Sequence, residues 1–127
     1  MLVYNHGGGT FDVGANADAN LVGASDASAY KGILFFQDRN SPAATGGSSH
    51  KLGGGGNLVL NGTIYINNTT MTSTIYQNVR LRGNSGNQTL IRGEIIVSAL
   101  DLGGGGTIQM NLNPASILTV RQVALVK

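Results

Sequence analysis

The sequence predicts an all-β fold, a single-stranded parallel β-helix (β-solenoid) with glycine- and asparagine-rich corners. Three observations carry that expectation. A cassette of one residue, a glycine and a short apolar run occurs at Lys31-Gly32-Ile33-Leu34-Phe35-Phe36, Asn61-Gly62-Thr63-Ile64-Tyr65-Ile66 and Arg92-Gly93-Glu94-Ile95-Ile96-Val97, with the glycines 30 and 31 residues apart. A second pattern, a glycine-rich entry before an alternating strand, occurs at Gly7–Val13, Gly53–Leu60 and Gly103–Met110. Gly, Asn, Ser and Thr supply 52 of the 127 residues, a mixture poor for helices and good for turns. An apolar fraction of 41%, gathered in strand-length runs, argues against disorder. Repeated short strands turned by glycine and asparagine are the pattern of a solenoid, whose corners need residues that accept positive φ. A β-sandwich is the alternative, but it does not call for cassettes at near-constant spacing.

Each element follows in order. Leu2-Val3-Tyr4 is a short apolar start, and Thr10-Phe11-Asp12-Val13 alternates as a half-buried strand does. Residues 14–24 alternate Ala with Asn or Asp, which suggests a tightly packed strand with small inward residues. Ile33-Leu34-Phe35-Phe36 reads as a strand buried on both faces, and the return of its cassette decides against a short helix. Residues 41–52 form the longest polar loop. Strands are expected at 57–60 and 63–66, with a polar, β-prone stretch at 67–74 and clean alternation from Ile75 to Arg82. Gly83-Asn84-Ser85-Gly86-Asn87 is a turn, strand-like runs follow at 89–91 and 95–97, and residues 98–102 lead into Gly103–Gly106 and an alternating run at 107–112. Residues 117–127 are apolar and read as a strand or a short closing helix. The whole of 1–127 reads as one domain with one aliphatic core.

Charge is sparse, at a net +2, and no run of like charges exceeds one residue, so nucleic-acid binding is not expected. Arg80 and Arg82 share one strand face, read as solvated. The absence of cysteine excludes disulfides and thiolate metal sites. No stretch is apolar enough to cross a membrane. The chain reads as a fragment or processed form without its N-terminal leader or anchor, so a membrane would be reached only through that missing segment.

Gln37-Asp38-Arg39-Asn40 is the densest polar cluster and the candidate ligand-binding site. Asp38 and Arg39 there could form a sugar-binding pair. The competing reading is a corner in which Asp38 accepts backbone N–H groups and Arg39 covers the edge, as Asx side chains commonly do. His6 and His50 have no acidic neighbour in sequence and read as surface histidines rather than metal ligands. No glycine run is followed by Lys-[Ser/Thr], so a phosphate loop is excluded. The six acidic residues are scattered and no Gly-x-Ser-x-Gly element occurs, which leaves catalysis, metal and cofactor without support. Four sequons, at Asn61, Asn67, Asn68 and Asn87, are expected by chance in so Asn- and Thr-rich a chain.

The segment Tyr30-Lys31-Gly32-Ile33-Leu34-Phe35-Phe36-Gln37-Asp38-Arg39 resembles one in the C-terminal, β-rich region of bacterial TadG-like proteins of the tight-adherence (Tad/Flp) pilus-assembly class. The resemblance extends through His50-Lys51-Leu52-Gly53-Gly54-Gly55 and Leu58 to Tyr65, covering about residues 20–110. It implies an extracellular, cell-surface or periplasmic protein and carries over no catalytic residue. The expected function is a non-enzymatic structural module of an envelope appendage or adhesion system. It would present the loops at 40–52 and 67–74 to pilus or envelope proteins or surface glycans, and self-associate end to end through residues 2–4 and 117–126. A carbohydrate-binding or carbohydrate-cleaving β-helix is the alternative, with Tyr4, Tyr30, Tyr65, Tyr76 and the three Phe as its only platforms.

Overall fold

The computed structural model describes residues 1–14, 18–41, 50–53, 56–66, 78–83, 86, 88–105 and 107–111. The described residues are all-β, with twelve strands and no helix. In chain order these are β1 (Val3–Asn5), β2 (Asp12–Val13), β3 (Ala19–Val22), β4 (Ile33–Gln37), β5 (His50–Leu52), β6 (Leu58–Asn61), β7 (Thr63–Ile66), β8 (Asn78–Gly83), β9 (Gln88–Arg92), β10 (Ile95–Val97), β11 (Ala99–Gly104) and β12 (Thr107–Asn111).

The strands form three four-stranded sheets, β1-β4-β7-β10, β2-β5-β8-β11 and β3-β6-β9-β12. The chain therefore visits the sheets in rotation, and each circuit adds one strand to each. Every pairing among these strands is parallel. The antiparallel pairing on which a β-sandwich is built does not occur among them.

Register stacks like on like. Val3, Phe35, Ile64 and Ile95 make one column, and Leu21, Leu60, Ile91 and Met110 another. Val13, Leu52, Leu81 and Leu102 make a third. The columns meet in a shared core in which Leu52, Leu60, Ile64, Leu81 and Ile91 are fully buried. Each such side chain contributes about 1.5–3 kcal/mol. Alternate residues point outward, as period-2 geometry requires.

Four apolar residues in a row at β4 do not mark a strand buried on both faces. Ile33 pairs with Thr63 but Phe35 pairs with Ile64, so Leu34 is the extra residue of a β-bulge. The bulge sends both Leu34 and Phe35 inward, to 0% and 2% exposure. Phe36 then points outward and is only partly covered.

The cassette glycines occupy one equivalent corner, between β3 and β4, β6 and β7, and β9 and β10. At Gly62 φ is +142°, and a Cβ would lie 2.6 Å from the carbonyl oxygen of Gly32 and 3.2 Å from Gly23 Cα. Backbones pass too closely there for a side chain, which is why glycine recurs. The second glycine pattern mixes corners. Gly7–Gly9 lies between β1 and β2, whereas the runs at 53 and 103 lead into β6 and β12 of a different sheet. Any tight corner can use glycine, so glycine alone does not encode which corner it is.

His50 corrects another expectation. It opens β5 rather than ending a loop, and it is fully buried rather than on the surface. Its Nδ1 accepts the Phe11 backbone N–H at 3.0 Å, and its ring packs against Phe11. Of the described residues in 14–24, Ala19–Val22 form a strand, and of 10–13 only Asp12–Val13. The expectations for residues 42–49, 67–77 and 112–127 lie outside the described residues.

Candidate functional site

The outer face of the β1-β4-β7-β10 sheet carries an in-register row of Tyr4, Phe36, Tyr65 and Ile96. Parallel strands about 4.8 Å apart stack equivalent side chains on one another. Tyr4 and Phe36 lie with centroids 5.8 Å apart and planes 18° apart, and Phe36 and Tyr65 at 5.2 Å and 15°. His6 stacks on Tyr4 at 6.2 Å, and the Arg39 guanidinium lies 5.5 Å from the Tyr65 centroid. Arg39 Nε also donates to the Tyr65 hydroxyl. The rings turn their faces to one another and their edges to solvent.

The polar tetrad follows β4 and divides. Gln37 points inward and is fully buried. Its Nε2 donates to Ser41 Oγ at 2.6 Å, and its Oε1 accepts from Asn5 Nδ2 at 2.8 Å. Asp38 faces out. Its Oδ1 accepts the Asn40 backbone N–H at 2.8 Å, closing an Asx turn. Its Oδ2 accepts the Tyr4 hydroxyl at 2.9 Å and lies 2.8 Å from His6 Nδ1. The Asn40 N–H first, then His6 and Tyr4, hold the Asp38 carboxyl below its ordinary pKa. The same Tyr4–Asp38 bond raises the tyrosine's pKa. Arg39 covers Tyr65, and Asn40 is exposed. The cluster joins β1 to β4 through side chains as well as through the strand ladder.

Sequence reading missed the partners rather than the tetrad. His6 is a surface histidine, with a side chain 73% exposed, yet it sits against a carboxylate 32 residues away. Only the register of β1 on β4 makes them neighbours, and no local signal announces it. Arg80 and Arg82 do share an outward face of β8, where both reach Asp101 Oδ2, at 3.1 and 2.7 Å. These are surface ion pairs of about 0–1 kcal/mol each.

Beside the aromatic row runs a groove in two parts that share Tyr30 and Phe36. One part, about 280 Å³, is bounded by Ile33, Tyr65, Lys31, Glu94 and Ile96. The other, about 410 Å³, is bounded by Leu2, Tyr4 and Asp38. Among the described residues no three His, Asp or Glu side chains converge as a metal site would need. Among the described residues no helix is long and apolar enough to cross a membrane. No protein-family model, curated protein or solved structure matches the chain.

Proposed function

We propose that the chain is a single-stranded parallel β-helix acting as a non-enzymatic structural module of a bacterial cell-envelope appendage or adhesion system, and that copies stack end to end. The reading is supported by the last circuit of the described strands. Leu100, Leu102 and Met110 occupy inward columns by register, above Val79, Leu81 and Ile91. They nevertheless remain 41%, 56% and 49% exposed. There β10, β11 and β12 end their sheets, as β1, β2 and β3 do at the other end. Strand edges beside exposed apolar columns invite another chain. A head-to-tail contact of this kind does not close on itself and extends into a filament.

The contact expected through residues 117–126 lies outside the described residues, and among the described residues the apolar end surface centres on Leu100, Leu102 and Met110. The resemblance to TadG-like proteins supports an extracellular or cell-surface location. Negative-stain electron micrographs of the full chain test the reading. Filaments or short rods are expected, and Leu102→Lys, which places a charge at the contact, should leave isolated particles. Isolated particles from the unmodified chain at every concentration would count against stacking.

A further inference from the structure

We propose that the groove beside Tyr30 binds a neutral glycan. This does not depend on end-to-end stacking, because the residues that bound the groove all belong to one chain.

The chemistry of the lining selects the ligand. The groove has an aromatic floor with polar groups at both ends, the arrangement that orients a ligand having apolar C–H faces and hydroxyl edges. Phe36 is stacked between Tyr4 and Tyr65, with His6 against Tyr4 and the Arg39 guanidinium over Tyr65. Tyr30 is about as exposed as Tyr4, 51% against 54%, but differs in having no ring partner among the described residues. It offers the open ring against which a sugar can lie. Asp38 accepts from Asn40, Tyr4 and His6, and a carboxylate has about four acceptor sites, so one sugar hydroxyl can be added without breaking the cluster. Glu94 bounds the other part of the groove and can accept a second.

Charge decides between neutral and acidic sugars. The charged residues lining the groove are Asp38, Glu94 and Lys31; Lys31 is already paired with Asp26 at 3.0 Å, and Arg39 is engaged on the Tyr65 ring and hydroxyl rather than in the lining. The surplus is negative and opposes uronic or sialic acids. A peptide fits less well. A peptide that binds by strand addition needs a free sheet edge, and here the strand backbones beneath the groove are engaged in the parallel ladder.

The test is a two-dimensional amide NMR titration of the full chain with neutral gluco-, manno- and N-acetylglucosamine oligosaccharides, and with oligogalacturonate as the acidic comparison. Shifts at Tyr30, Phe36, Asp38 and Glu94 are expected with a neutral series and not with the acidic one. Tyr30→Ala should weaken that binding about tenfold or more, while Tyr30→Phe retains it. Because Tyr30 is exposed, an unchanged spectrum elsewhere shows that the variant remains folded. Three results would overturn the proposal: no groove shifts with any neutral sugar at millimolar concentration, binding indifferent to Tyr30→Ala, or groove shifts that follow protein concentration alone, which would make the occupant a second copy.

Discussion

At the scale of single residues, Asp38 shows how one side chain does structural work at a site that reads as functional. It closes its own turn through Asn40 and holds β1 through Tyr4 and His6. Its pKa is lowered on folding, so its contribution is present above the ordinary carboxylate range and fades as pH falls below about 4. Tyr4 has the opposite sign. Its raised pKa means a contribution present below about pH 10 and lost as pH climbs past it. Thermal unfolding followed by circular dichroism across pH should therefore show Asp38→Asn less stable than the parent at neutral pH. The gap should narrow in acid. An equal deficit at pH 3 and pH 7 would argue against the clamp. Gly62 belongs to the same scale. Gly62→Ala should cost on the order of 3 kcal/mol, since a Cβ meets the Gly32 carbonyl in a strained φ. Denaturant titration checks it. The glycine was legible in the repeat, because the corner needs it in each circuit. The Asp38–His6 contact was not, because its two halves lie 32 residues apart and nothing local fixes the register between them.

At the scale of elements, β4 separates what a hydrophobic run can reveal from what it cannot. Its apolar residues do signal a core strand. Their direction depends on the bulge at Leu34, and a bulge has no signature in an unbroken apolar run. Leu34→Ala should therefore cost about 2–5 kcal/mol, as for a fully buried leucine, and chemical denaturation measures it. A cost near zero would mean that Leu34 is not the inward residue of the bulge. His50 was misjudged for a related reason. It follows a polar loop in sequence, but its lone acceptor meets the Phe11 N–H inside the stack. Alternation was the dependable signal. It placed Arg80 and Arg82 on one outward face, where Asp101 of the next strand meets both.

At the scale of the whole molecule, three sheets share one core, and each circuit lies on the circuit before it. Stability in such a stack sums over neighbouring circuits, and an unsatisfied end is the natural place for association. If the stack continued in register into a second copy, Asp101 of β11 would come beside Asp12 of β2. Each is already paired within its own chain, Asp101 with Arg80 and Arg82 and Asp12 with Lys51, so the junction is charge-compensated and association should vary little with salt. The recurrence of equivalent strands is visible in the cassette spacing, since β4, β7 and β10 follow the three cassette glycines and pair in one sheet. The exposed end is not, because Leu100, Leu102 and Met110 resemble any other inward residues until the register shows that they occupy the last described layer. Sedimentation equilibrium of the full chain over a range of protein and salt concentrations bears most directly on end-to-end stacking. The predicted result is a mass that rises above 13.1 kDa with protein concentration, changes little with salt, and falls back to 13.1 kDa in Leu102→Lys. A mass of 13.1 kDa at every concentration for the unmodified chain would contradict it.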